Sequence, residues 1–176
     1  MKKITTLLTI AFFMIAMGSK AQKIALVDMQ YILEAIPSYE TANDQIEQLS
    51  TKWEKEVETL LTETQTMYKN YQTEKVFLSK DMVTKRENEI IDKENAANDL
   101  KRKYFGPEGE LYKKRESLIK PIQDEIYNAV KKLAQAKGYE LILDKASSQN
   151  LIFASPALDI SDELLLEMGY STDKKK

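Results

Sequence analysis

The chain contains neither cysteine nor histidine among its 176 residues. Without cysteine it can form no disulfide bond and no thiolate metal site, and a protein without thiols tolerates an oxidising compartment because it cannot form wrong bridges. Without histidine it lacks the commonest metal ligand and the commonest general base of enzymes. We therefore expect no enzyme activity, no metal site and no cofactor.

Glycine and proline are also scarce, with five and four residues. Between residues 38 and 137 only Gly106, Pro107, Gly109 and Pro121 interrupt a sequence rich in Glu, Lys, Gln, Leu, Ala and Thr. This composition is typical of long helices, and Ser38 is the expected N-cap of the first one.

The first helical stretch carries apolar residues at steps of mostly three or four positions. Such steps form a narrow seam, which suits a coiled coil with one neighbouring helix rather than a broad globular core. The seam residues are Ala42, Ile46, Leu49, Trp53, Val57, Leu60, Met67 or Tyr68, and Tyr71.

The first 21 residues have the three parts of a secretory signal peptide. Lys2 and Lys3 precede the apolar run ITTLLTIAFFMIAM, and Ser19 and Ala21 supply small residues before a cleavage site at Gln22. The apolar run is short for a membrane span, which needs about 20 residues. We therefore predict that residues 1–21 are a cleaved signal peptide and that the protein is secreted.

The predicted mature chain is acidic. Without Lys2, Lys3 and Lys20, 23 basic residues face 28 acidic ones, which gives a net charge of −5. Nucleic-acid binding favours a basic surface, so we expect no nucleic-acid partner. Membrane contact is compatible with the sequence but is not required by it.

Short apolar runs at the two ends of the mature chain predict three strands. They are KIALVDM after residue 22, YELIL at 139–143 and LIFAS at 151–155. SDELLLEM predicts a short final helix capped by Ser161. Three short strands leave open edges, and oligomerisation would extend the sheet between subunits.

Two breaks compete as the point where the helical region reverses, GPEG at 106–109 and FLSKDM at 77–82. A turn at GPEG would give helices of about 100 Å and 40 Å, whereas a turn near Ser79 gives about 60 Å and 85 Å, which match better. The seven-residue row Val83, Ile90, Ala97, Tyr104, Leu111, Leu118 also crosses GPEG without a change of phase. We therefore predict a hairpin tip near 78–80 and a kink or bulge near 106–109.

The predicted fold class is mainly α with a small β body. A long antiparallel helical hairpin, a coiled-coil arm, projects from a small β-barrel-like oligomerisation body. The hairpin covers residues 38–137, the β-rich body covers 22–37 and 138–170, and 171–176 form a disordered tail.

The order of these elements resembles the Skp/OmpH family of periplasmic chaperones over nearly the whole mature chain. The resemblance lies in the signal peptide, the KIALVD strand, the long charged hairpin, GYELILDKA and the closing DISDELL helix. It implies a periplasmic homotrimer whose three arms enclose a cavity. It also implies an ATP-independent holdase that keeps unfolded outer-membrane β-barrel proteins from aggregating. The acidic mature chain departs from the strongly basic family members, so we transfer no lipopolysaccharide site.

Two groups of residues are candidates for client contact. The first crowds near the predicted tip, where apolar and methionine side chains adapt to varied partners, although they could equally pack against one another. The second is basic and flanks GPEG, where it could grip acidic client segments or form a solvated helix face. The first group is Met67, Tyr68, Tyr71, Phe77, Leu78 and Met82, with Val76 and Val83 nearby; the second is Lys101, Arg102, Lys103, Lys113, Lys114 and Arg115.

Asp28 and Asp144 each end a predicted strand. Paired carboxylates can serve acid–base catalysis, but no nucleophile, histidine or phosphate loop accompanies them. We interpret both as capping or turn residues.

Two other functions remain open on the sequence. A structural coiled-coil protein of the cell envelope would have a rigid seam and a fixed protein partner. A prefoldin-like cytosolic holdase would share strands and helical arms, but it would retain residues 1–21.

Overall fold

The computed structural model describes residues 22–148 and 150–172. It is mostly helical with one two-stranded sheet. The described chain forms two compact units. We call residues 22–35 with 128–172 the sheet unit, and Ile36–Tyr127 the helix-pair unit. The predicted signal peptide and most of the predicted tail lie outside the described residues.

The sheet unit is built on two parallel strands, β1 (Ile24–Val27) and β2 (Leu141–Asp144). Ile24 pairs with Leu141, and the register continues to Val27 and Asp144. Parallel neighbours need a long crossover connection, and here the helices of the chain provide it. Two of the three predicted strands are thus present, and the second begins at residue 141 rather than 139.

The predicted strand over 151–155 is absent, and that prediction is wrong. The segment makes no ladder, and the chain returns to β1 only at Asp159, which forms an isolated bridge with Leu26. The Ile160 N–H then donates to the Leu26 carbonyl at 2.9 Å. LIFAS pairs with no strand among the described residues, because an apolar pattern alone does not make a segment a strand.

Two short helices of the sheet unit contact each other: α1 (Met29–Glu34) and a helix at Ser161–Glu167 near the end of the described chain. Ser161 is not the N-cap that the sequence predicts, because Ile160 occupies the cap position. The buried Ser161 hydroxyl instead accepts the Asp28 N–H at 2.8 Å and donates to Asp159 Oδ1 at 2.5 Å. The core side chains of the unit are Ala25, Leu26, Val27, Ile32, Leu133, Ile160, Leu164 and Leu165.

The helix-pair unit begins with α2 (Pro37–Glu74). Pro37 lies in the first turn and Ile36 takes the cap position, so the prediction of Ser38 as N-cap is wrong. The reason is that the fixed φ of proline suits the first helical residue, where its missing N–H has no partner to lose.

After α2 the chain makes a 3₁₀ turn at Lys75–Phe77 and continues into α3 (Lys80–Phe105). Leu78 is extended, and the Ser79 hydroxyl caps α3 by accepting the Met82 N–H at 3.4 Å. Asp81 adds a negative charge to the first turn, where the helix dipole stabilises it.

The GPEG segment separates α3 from α4 (Glu110–Lys137) by four non-helical residues. A Cβ atom on Gly106 would lie 2.4 Å from the Arg102 carbonyl oxygen, and one on Gly109 would lie 2.7 Å from that of Tyr104. Both glycines are therefore required by close backbone approach rather than by a positive φ. The final helix of the chain, Ser161–Glu167, is α5.

The helix interruption leaves the seven-residue row intact on both sides. Ile90 and Ala97 are buried before it, and Leu111 and Leu118 are half-buried after it. Among residues 22–148 and 150–172, no helix is both long enough and apolar enough to span a membrane.

Candidate functional site

The seam between α2 and α3 is a narrow apolar contact. Its buried side chains are Val57, Thr64, Tyr71, Ile90 and Ala97. Tyr71 contacts Glu87, Glu63 contacts Lys93, and Trp53 contacts Tyr104. Residues earlier in α2 thus meet residues later in α3, so the two helices run antiparallel. The spacing of apolar residues predicts which side of each helix is buried.

An aromatic pair closes the seam beside the GPEG segment. The rings of Trp53 and Tyr104 stack with their centroids 4.6 Å apart and their planes 8° from parallel. The Tyr104 hydroxyl donates to Glu56 Oε2 at 2.7 Å, and this hydrogen bond is the main cause of a raised pKa of Tyr104. Trp53 thus has a packing role, as its position in the apolar row predicts.

One side of the helix pair is laced by polar contacts between α2 and α3. Lys93 Nζ lies 2.6 Å from Glu63 Oε2, and Arg86 lies 3.9 Å from Glu74. Glu56, seven residues before Glu63, makes its hydrogen bond to Tyr104 on the same side. We call this side the paired flank.

The opposite side carries a shallow apolar groove, which we call the open flank. A cavity of about 310 Å³ lies there, lined by Glu54, Val57, Glu58, Leu61, Lys101 and Phe105. Tyr68 lies seven residues beyond Leu61 and continues the same side of α2. Both side chains are exposed.

A third surface, the tip cluster, lies where α2 passes into α3. It consists of Val76, Phe77 and Met82, all of which are exposed, with Phe77 exposed to 87%. Met67 and Leu78 are half-buried. The sequence-predicted tip candidates are therefore divided between the tip cluster, the open flank and the seam.

Tyr71 is the candidate that lies inside the seam. Its side chain is only 3% exposed, and its hydroxyl donates to Glu87 Oε1. That hydrogen bond is the first cause of a lowered pKa of Glu87, with Lys75 adding a smaller effect. Tyr71 is thus occupied by packing and is not part of the exposed surface.

The basic candidates around GPEG are mostly exposed and partly paired with nearby acids. Arg102 lies 3.7 Å from Asp99, and Lys113 lies 3.7 Å from Glu110. Lys103 covers the Tyr104 ring at 5.6 Å from its centroid. Lys101 lines the open-flank groove and also a neighbouring cavity of about 590 Å³. Lys114 is half-buried and Arg115 is exposed.

A polar cluster in the sheet unit was not predicted from the sequence. Lys145 Nζ lies 2.6 Å from Asp159 Oδ2 and 3.3 Å from Asp28 Oδ2. Burial would raise the pKa of Asp159, but hydrogen bonds from Lys145 and Ser161 hold it below the ordinary value. The hydrogen bond with Asp159 raises the pKa of Lys145 despite some burial. The cluster stays hidden in the sequence because its members are distant along the chain.

Asp28 and Asp144 have the capping roles that the sequence predicts. The Asp28 carboxylate accepts the Tyr31 N–H at 3.0 Å and caps α1. The Asp144 carboxylate accepts the N–H groups of Met29 at 3.2 Å and Ala146 at 3.0 Å. Within the described residues no group of acidic side chains is arranged to hold a metal ion.

The sheet unit also exposes apolar side chains on its strands and on the segment that follows them. Ile24, Leu141 and Leu143 are exposed on the two strands. Ile152 is fully exposed and Phe153 is exposed to 82%. We call these five residues the apolar sheet surface. Ile24 pairs directly with Leu141, and exposed apolar groups that lie together mark interaction surfaces more often than scattered ones do.

Comparisons with known proteins support one family. A crystal structure from Caulobacter crescentus CB15, provisionally described as an OmpH-like outer membrane chaperone, superposes with a TM-score of 0.65. It is 14% identical and the match covers 86% of each chain, so it shows a shared fold. Among curated proteins, none matches the sequence.

A family model for OmpH-like outer membrane proteins matches residues 23–168, which include both strands and all five helices of the described structure. The match covers most of the chain. The chain therefore belongs to the OmpH-like outer membrane protein family.

Proposed function

We propose that this protein is an ATP-independent periplasmic holdase chaperone. It binds unfolded outer-membrane β-barrel proteins in a cavity between helical arms and prevents their aggregation. The observation that carries the proposal is the unpartnered apolar surface on the helix pair, formed by Leu61, Tyr68, Val76, Phe77 and Met82. Family membership supports a chaperone rather than an enzyme.

The proposed mechanism is protection by many weak contacts. Unfolded β-barrel chains expose alternating apolar residues and unpaired strand edges, which aggregate in water. Exposed methionine and aromatic side chains suit varied partners. Each contact is weak enough to break, so the client leaves without hydrolysis of a nucleotide.

Self-association into a homotrimer is part of the proposal. The apolar sheet surface and the open edges of a two-stranded sheet support it, because a two-stranded sheet is marginal alone and a second copy would cover both. The trimer is the assembly that the family resemblance implies. Export to the periplasm by cleavage of residues 1–21 completes the proposal.

The alternative function is a structural coiled-coil protein of the envelope with a fixed partner. The stacked Trp53–Tyr104 pair and the Lys93–Glu63 ion pair favour it, since both stiffen the helix pair. It predicts that the purified protein leaves the aggregation of unfolded β-barrel proteins unchanged.

The test uses the chain from Gln22 onward and an unfolded β-barrel protein diluted out of urea. The proposal predicts that light scattering by the client falls as the chaperone concentration rises, with no added nucleotide. Scattering that stays at the level of the client alone would contradict it.

A further inference from the structure

The open flank and the paired flank of α2 differ in whether their glutamate carboxylates have partners on α3. On the paired flank, Glu56, Glu63 and Glu74 each have a partner on α3. On the open flank, no ion pair engages Glu54 or Glu58 among the described residues; Glu54 accepts only the Ser50 hydroxyl on its own helix, at 2.9 Å. The polar groups of the open flank are therefore available to a partner.

Helix periodicity brings these free carboxylates beside apolar groups. Glu54, Glu58, Leu61 and Tyr68 are spaced by four, three and seven residues, so they share one side of α2. Phe105 and Lys101, four residues apart, face the same groove from α3. The groove floor is thus apolar, its α2 rim is acidic, and its α3 rim has one lysine.

The dimensions of the groove suit a side chain rather than a folded partner. Its volume of about 310 Å³ is open to solvent along one side, at the lower end of the range of small-ligand sites. In an extended chain successive side chains point to opposite sides and alternate residues are about 7 Å apart. One apolar side chain can therefore enter while its neighbours reach the rims.

We infer that the open flank holds an extended client segment, with an apolar side chain in the groove and neighbouring Lys or Arg side chains facing Glu54 and Glu58. The inference rests on the proposed holdase function and names its contact site and its charge preference. It fits the acidic charge of the predicted mature chain, which would disfavour acidic segments of a client. Lys101 lies on the α3 rim of the groove, where it pairs with a single acidic residue of the client.

The first test places the photoreactive residue p-benzoylphenylalanine at Leu61, at Glu63 on the paired flank, or at Phe77 in the tip cluster. Each variant is irradiated with an unfolded β-barrel protein under conditions in which it still suppresses aggregation. We expect cross-links to the client at Leu61 to exceed those at Glu63 several-fold.

Each outcome of this experiment is decisive. If the protein suppresses aggregation but cross-links equally from Leu61 and Glu63, or mainly from Phe77, the groove inference is wrong and the holdase function stands. If Leu61 cross-links a second copy of the chain without client, the groove is a self-association surface and the inference is also wrong. If the wild-type chain suppresses nothing, the proposed function itself fails and the inference fails with it.

The second test addresses charge. Reversing the rim with Glu54→Lys and Glu58→Lys should weaken the binding of a lysine-containing unfolded β-barrel segment several-fold. The matched control is Asp92→Lys with Glu125→Lys, which changes the net charge equally at exposed positions of α3 and α4 that line neither the groove nor the neighbouring cavity. Equal losses in both variants would show a general charge effect and would overturn the inference.

Discussion

At the scale of single residues, the stacked rings of Trp53 and Tyr104 hold α2 against α3 beside the GPEG segment. The apolar spacing of α2 predicts that Trp53 lies in the seam. It does not predict Tyr104 as its partner, because periodicity along one helix fixes the buried side but not the register against the neighbour. The hydrogen bond from Tyr104 to Glu56 is hidden for the same reason.

Tyr104→Leu should lower the free energy of unfolding by about 1–3 kcal/mol, since it removes an aromatic stack and a partly buried hydrogen bond. Trp53 is the only tryptophan of the chain, so its fluorescence should shift to the red as it gains solvent. Urea denaturation followed by circular dichroism measures the stability. Tyr112→Leu, at an exposed position of α4, is the control and should change little.

The stability of the sheet unit should depend on the ionisation of Asp159. Its pKa is held below the ordinary value of 3.8, so its stabilising effect is complete above that value and is lost as the pH falls through the lowered pKa. Wild-type stability should therefore decline below about pH 4. Asp159→Asn should be less stable at neutral pH and should lose less on acidification. The measurement is urea denaturation between pH 7 and pH 2. If wild type and Asp159→Asn lose the same free energy of unfolding over this range, the account is wrong.

At the scale of elements, the long helices follow from composition, because few residues between 38 and 137 break a helix. The Ser79 cap follows from its sequence position as well. The third strand could not be predicted correctly, since LIFAS has strand-forming residues but pairs with no strand among the described residues. The Ser38 cap failed because Pro37 takes the first helical position.

Replacement of either glycine of the GPEG segment should destabilise the protein. Gly106→Ala and Gly109→Ala should each lower the free energy of unfolding by about 1–3 kcal/mol, because the added methyl group meets backbone oxygens that no side-chain rotation can move. Glu108→Ala, in the same segment but exposed, is the control and should be near neutral. Thermal melts equal to wild type for both glycine variants would mean that the segment can relax into a continuous helix.

At the scale of the whole molecule, two sets of exposed apolar side chains have different expected roles. The apolar sheet surface suits contact between copies of the chain, whereas the open flank and the tip cluster lie on the helix pair and suit contact with a client. Burial values reveal these sets, but the sequence cannot, because the same residue types form the seam and the surfaces.

Ile152→Ser with Phe153→Ser should reduce self-association without unfolding the chain, since both side chains are already exposed. Val76→Ser with Phe77→Ser removes similarly exposed apolar groups from the tip cluster and serves as the matched control. Mass measured by light scattering after size-exclusion chromatography should fall for the first variant only. An unchanged mass for the first variant would remove the apolar sheet surface from the proposed interface.

The most direct test of the central claim is the aggregation of an unfolded outer-membrane β-barrel protein in the presence of the chain from Gln22 onward. The account predicts an oligomer in solution that suppresses light scattering in proportion to its concentration, without nucleotide. A monomer that leaves the scattering of the client unchanged would contradict it.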